Sequence, residues 1–242
     1  MKSFRERIEL AGQRSKSRLV LALDVSGPFE TRVDRAADVL KSTIHHVAAV
    51  KVNYHLLLPF GLEGIRGITK SCNEAGVPLI ADLKMNDIES TNLNIVDSLM
   101  TYGFDCVIAN PFVGKEDGLG EAIERVHAQG GGVILLVYMS HGGSREGYGL
   151  VTSGGEPMYR VFAKRAKEWG ADGVVVSAKS AEVIRETRGI VGSDCLIFSP
   201  GVGVQGGDFD EGKKAGADYI IVGRGITEAP DPLKVVRELN SV

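Results

Sequence analysis

Short apolar runs recur along the chain at residues 19–24, 47–51, 77–82, 104–109, 132–137, 172–177, 195–200 and 218–223. Most are rich in Val, Ile and Leu and are continuously apolar, the pattern of strands covered on both faces. Between them lie amphipathic stretches of helical spacing, at 32–44, 61–75, 88–102, 116–129, 159–169 and 179–188. Several are followed by a glycine (Gly76, Gly103, Gly130, Gly170, Gly216), a residue that tolerates the left-handed conformation closing a helix. Gly170-Ala171-Asp172 and Gly216-Ala217-Asp218 are weak echoes of one strand–helix unit. Ahead of the first strand, Phe4, Ile8 and Leu10 suit a short N-terminal helix, and Ser3 and Glu6 stand three apart as in a capping box.

Eight such units without a linker predict an α/β fold, a closed (β/α)8 TIM barrel occupying residues 1–242 as a single domain. An open sheet would leave edges to protect. A dinucleotide fold would need GxGxxG after the first strand, and none is there.

The bulk numbers narrow the function. Net charge is −3 with no basic stripe, which argues against a nucleic-acid partner. No apolar run approaches the roughly 18–20 residues that span a membrane, and residues 1–17 lack a signal-peptide core. The cysteines Cys72, Cys106 and Cys195 are scattered through apolar surroundings, as expected of buried thiols in a reducing, cytoplasmic setting. The five histidines form neither HxH nor HExxH, so no metal site is expected.

Chemistry is concentrated where the apolar runs stop. Asp24, Lys51 and Asp82 fall at the ends of the first three runs, and Lys84 follows two residues later, on the same side as Asp82 if the chain stays extended. Burying a charge costs on the order of 3–5 kcal/mol unless partners compensate, so a charge cluster at successive strand ends points to a polar network around a substrate. Across the rim, the runs at 195–200 and 218–223 lead into glycine-rich loops. Pro200, Gly203, Gln205, Gly206, Gly223 and Arg224 read as a phosphate grip: backbone N–H groups approach the anion and a guanidinium clamps it. The one long gap contains residues 139–154, glycine-rich, polar and without evident apolar anchors, which reads as a lid over the rim. Arg145 and Tyr148 within it are expected to face solvent, and Trp169 to pack a helix.

Together these motifs carry a family resemblance. Residues 81–91 (ADLKMNDIEST) contain DxKxxD, and Leu21-Ala22-Leu23-Asp24, Val50-Lys51-Val52, Met139-Ser140-His141-Gly142, residues 200–207 and Val222-Gly223-Arg224 follow in order. The chain thereby resembles the orotidine 5′-phosphate decarboxylase family in its compact archaeal or bacterial form. The resemblance implies conversion of orotidine 5′-monophosphate to uridine 5′-monophosphate and CO₂, with no cofactor. It assigns Lys84 to carbanion stabilisation and proton donation at pyrimidine C6, Asp82 to holding Lys84 beside the leaving carboxylate, and Asp24 and Lys51 to the ribose hydroxyls. Ser140 would contact the pyrimidine amide edge, Gln205 would bridge base and phosphate, and Arg224 would clamp the phosphate. It further implies a homodimer in which Asp87, with Ile88 and Thr91 beside it, crosses into the neighbouring site. Two other readings share the scaffold. A metal-dependent keto-sugar-phosphate decarboxylase or aldolase would keep Asp24, Asp82 and Lys84 but favour an acid in place of Lys51. A binding barrel without catalysis would not need a lysine between carboxylates.

Overall fold

The computed structural model describes residues 2–201 and 209–241, with backbone alone at 209–210. Eight parallel strands close a barrel in chain order: β1 (Leu19–Ala22), β2 (Ala49–Asn53), β3 (Leu79–Met85), β4 (Cys106–Ala109), β5 (Gly132–Tyr138), β6 (Gly173–Val176), β7 (Leu196–Pro200) and β8 (Tyr219–Val222), with β8 pairing back onto β1. The α-helices are α1 (Phe4–Ser15), α2 (Arg32–Thr43), α3 (Tyr54–Gly64), α4 (Arg66–Ala75), α5 (Glu89–Thr101), α6 (Gly120–Ala128), α7 (Ser144–Gly147), α8 (Met158–Glu168), α9 (Ala181–Val191), α10 (Phe209–Ala215), α11 (Arg224–Thr227) and α12 (Pro232–Asn240). No helix among the described residues is long and apolar enough to cross a membrane.

Strand parity sorts the side chains into two cores. One set packs between sheet and helices, including Leu19, Leu21, Val50, Leu79, Leu135 and Val174. The alternate set, including Val20, Ala22, Ile80, Ile108, Leu136, Phe198 and Ile221, fills the barrel. Helix α1 closes the bottom. Its capping box forms as expected, and Phe4 and Ile8 join the barrel interior. Phe4 lies so close to Gly132 that a Cβ there would stand 2.5 Å from its ring.

The bottom rim explains the repeated Gly-Ala-Asp. Asp105, Asp172 and Asp218 each precede an even-numbered strand, and each accepts an N–H from the start of the preceding strand, from Leu79 (2.8 Å), Val133 (2.8 Å) and Ile197 (2.7 Å). Each also pairs with a base: Arg7 for Asp105, His127 for Asp172 and Arg188 for Asp218. Ser17 does the same service for Leu19 at 3.0 Å. These donors lie at a sheet end, where an unpaired buried N–H is costly.

Two expectations need correction. A helix over 61–75 is expected from periodicity, but the structure has α3 from Tyr54 and then α4 from Arg66. Pro59 obscures α3, because proline deprives the helix of one N–H. The His55 carbonyl accepts instead from Arg32 at 3.4 Å, and Gly61 (φ 65°) kinks the end. Residues 139–154 do contain an apolar anchor. Tyr148 is half-buried with its ring centroid 6.0 Å from Tyr138 and 6.1 Å from Phe162, while Arg145 is exposed as expected.

Candidate active site

At the strands' C-terminal end the inward column of each strand opens into a cavity of about 210 Å³. Its apolar floor includes Ile108, Leu136, Val175 and Ile221. Its walls carry Asp24, Lys51, Asp82 and Lys84 on one side and Pro200, Gly223 and Arg224 on the other, with Ser140 between. Gly203, Gln205 and Gly206 lie outside the described residues.

The charged residues do not simply end strands. Lys51 pairs with Ala22 inside β2, Asp82 pairs with Asn53 inside β3, and Asp24 lies two residues beyond β1. What they share is inward parity. Lys51 Nζ stands 2.8 Å from Asp82 Oδ2 and 3.7 Å from Asp24 Oδ1, and Lys84 Nζ stands 2.8 Å from Asp82 Oδ1. Charge therefore alternates along the wall, and both Asp82 oxygens are occupied.

Lys51 is 4% exposed and Asp82 7%, so both ions depend on each other. Burial alone would push the Asp82 carboxyl up, but the Lys51 and Lys84 ammoniums outweigh it and hold the group below the ordinary carboxylate range. Burial would likewise lower the Lys51 ammonium, and Asp82 and Asp24 reverse that and hold it raised. Each of the two buried groups, Lys51 and Asp82, is thus held in its charged form by its neighbours.

The backbone at Lys84 is not extended, the condition under which two-residue spacing alone would put it on the side of Asp82. It has φ 46°, in the left-handed region, within an irregularity of the β3–β4 register. The two side chains meet despite this, through a bulge.

Asn53 is a member of the site that sequence reasoning missed. Its Nδ2 donates to Asp24 Oδ1 at 2.7 Å, and its Oδ1 accepts from His55 N at 2.9 Å, capping α3. Its position two residues after Lys51 on one strand was the available signal. Gly223 is required by contact: a Cβ there would lie 2.8 Å from Asp24 Oδ2.

Asp87, Ile88 and Thr91 are exposed and form no part of this cavity's lining. Asn92, fully buried, ties down the backbone beside them by donating to the Asp87 carbonyl at 2.5 Å. The thiols are no nucleophiles here: burial pushes Cys72 and Cys195 up to about 12 and Cys106 well above its usual value. Among the described residues no group of three or more His, Cys, Asp or Glu could hold a metal ion.

Comparison with known proteins shows the family. Residues 17–239 match the model of the orotidine 5′-phosphate decarboxylase / HUMPS family. The chain belongs to that family. It is 36% identical to the orotidine 5′-phosphate decarboxylase of Pyrococcus abyssi over 221 residues, 91% of this chain and 96% of that one. Among solved structures it resembles the Methanocaldococcus jannaschii orotidine 5′-monophosphate decarboxylase complexed with the inhibitor BMP, with a TM-score of 0.78, 30% identity, and 93% and 97% of the two chains covered. It also resembles Leishmania donovani UMP synthase, with a TM-score of 0.87 and 25% identity, covering all of this chain but 56% of that longer one.

Proposed function

We propose that this member of the family converts orotidine 5′-monophosphate to uridine 5′-monophosphate and CO₂ without a cofactor. The observation that carries the reading is the ordered array Asp24–Lys51–Asp82–Lys84 sharing one cavity with Arg224. Arg224 takes the phosphate, helped by the backbone N–H of Gly223 and by Gly203, Gln205 and Gly206, while Pro200 lines the cavity beside them. Asp24 and Lys51 take the ribose hydroxyls, and Ser140 meets the pyrimidine amide edge. The C6–carboxylate bond then breaks, leaving its electron pair on C6 in the ring plane, where no carbonyl delocalises it well. The Lys84 ammonium meets that charge in a water-poor pocket, where a fixed cation acts most strongly, and its proton passes to C6. Asp82 holds the ammonium in place. Binding energy from the remote phosphate helps hold the reacting end, and residues 139–154 shield the rim with Tyr148 as their fixed point.

The protein acts in this reading as a cytoplasmic homodimer, with Asp87, Ile88 and Thr91 serving the neighbouring site. Ile88 at 62% exposure and Leu58 at 79% supply apolar surface in keeping with such a partner. The metal-dependent alternative is disfavoured by Lys51, whose ammonium already engages both carboxylates that a divalent cation would need.

The test follows loss of orotidine 5′-monophosphate absorbance with EDTA-treated protein. Steady loss, with uridine 5′-monophosphate as product, supports the proposal. No reaction overturns it, and reaction restored only by magnesium favours the alternative.

A further inference from the structure

The ammonium of Lys84 reaches Asp82 from a backbone that has left the sheet's register. β3 pairs Ala81 with Val107 and then Met85 with Ala109, so three residues of β3 oppose one of β4. On the other side the β2–β3 pairing ends at Asn53 and Asp82. The Leu83 carbonyl therefore lies beyond the β2–β3 ladder and within the break of the β3–β4 one. It accepts a hydrogen bond from the Tyr54 hydroxyl at 2.7 Å.

That carbonyl belongs to the same planar peptide unit as the Lys84 nitrogen. Its orientation fixes one side of the Lys84 φ torsion, which sits at 46°, a region that residues other than glycine seldom occupy. A strained torsion of this kind persists only where its surroundings hold it. Tyr54 is well placed to do so. It opens α3 directly after Asn53, whose side chain caps that helix and grips Asp24. Tyr54 itself is 52% exposed, belongs to neither hydrophobic core and does not line the cavity. Packing does not explain a tyrosine there; the hydrogen bond does.

We propose that Tyr54 is a positioning residue: its hydroxyl holds the Leu83–Lys84 peptide so that the Lys84 ammonium is aimed along Asp82 at the reacting carbon. The inference rests on the assignment of Lys84 as the cation at C6.

The experiment compares Tyr54→Phe with the wild type and with Lys84→Ala. Tyr54→Phe is expected to lower kcat about tenfold, equivalent to ~1.4 kcal/mol, while KM stays within about twofold, the mark of an interaction expressed in the transition state. Affinity for uridine 5′-monophosphate stays unchanged. Affinity for 6-hydroxyuridine 5′-phosphate, whose C6 oxyanion must meet the Lys84 ammonium, falls by about the same factor as kcat. Thermal stability stays within about 1 °C, as for a surface substitution. A kcat within about twofold of wild type, or a fall in stability and in affinity for both ligands together, overturns the brace. Retained turnover in Lys84→Ala overturns the assignment of Lys84 and the brace with it. An inactive Lys84→Ala beside an unimpaired Tyr54→Phe overturns the brace alone.

Discussion

Asp82 and Lys84 stand two residues apart on β3 and meet at 2.8 Å across a bulge, while the other Asp82 oxygen holds Lys51 at the same distance. One carboxylate thus sets two ammoniums, one almost fully buried and one a third exposed. That division separates a supporting cation from one able to meet a ligand.

Lys84→Ala is expected to abolish turnover, by at least about 10³-fold, because it removes both an electrostatic group at a developing anion, commonly worth about 10²–10³, and the proton donor, commonly worth about 10²–10⁴. The fold stays intact, because Asp82 keeps Lys51. Absorbance assays with far-ultraviolet circular dichroism check both halves, and retained turnover would remove Lys84 from its role.

Lys51→Met leaves Asp82 and Asp24 facing each other with one cation fewer, and is expected to cost about 3–5 kcal/mol of stability at neutral pH. The pH dependence follows from the Asp82 carboxyl, which the wild type holds low. A depressed group stabilises above its unfolded pKa and loses that contribution as pH falls through the folded value. In the variant only Lys84 opposes burial, so the depression shrinks. Denaturant melts should therefore show a wide gap at pH 7 that narrows toward about pH 4. A gap independent of pH would contradict the pairing.

Gly223→Ala pushes a methyl to 2.8 Å from Asp24 Oδ2. Displacing Asp24 from Asn53 should raise KM about tenfold, some 1.4 kcal/mol, with a smaller effect on kcat. Steady-state kinetics decide this, and an unchanged KM would mean that Asp24 does not position the substrate.

His127 tests the lower rim. Its hydrogen bond to Asp172 raises the imidazole above its usual value, against the opposing effect of burial. A raised group contributes fully below its unfolded value, near 6.5, and loses that contribution as pH climbs through the folded one. His127→Gln should therefore lower stability most at about pH 5.5 and least at about pH 8.5, by under ~1 kcal/mol because the side chain is partly solvent-screened, as read from denaturant melts. The opposite trend would show that the neutral ring is the one preferred.

Mixing Lys84→Ala with Asp87→Ala protein addresses the shared site. Each alone should be nearly inactive, and random re-pairing of a two-fold dimer should restore about a quarter of the wild-type activity. Failure to recover any activity would place Asp87 in its own chain's site, and an active Asp87→Ala protein would place it outside catalysis.

The barrel was legible from the chain because eight buried parallel strands leave continuous apolar runs that little else in a folded protein resembles. The capping box at Ser3 and the break from apolar to charged at Asp24, Lys51 and Asp82 were legible for the same local reason. Asn53 and Tyr54 were hidden because an uncharged polar residue at a strand end looks like any turn. Helix α3 was masked by Pro59, and Tyr148 looked like loop.

What sequence alone determined was where the strands run and where charge interrupts them, since a continuous apolar run and its break are local features. Tertiary structure decided what the residues there do to one another. Closing the sheet brings Gly223 of the last strand's loop against Asp24 of the first, the bulge turns Lys84 back onto Asp82, and α3 carries a hydroxyl to the Leu83 carbonyl. None of these contacts joins near neighbours in sequence except the one the bulge creates, and a bulge depends on the strands alongside.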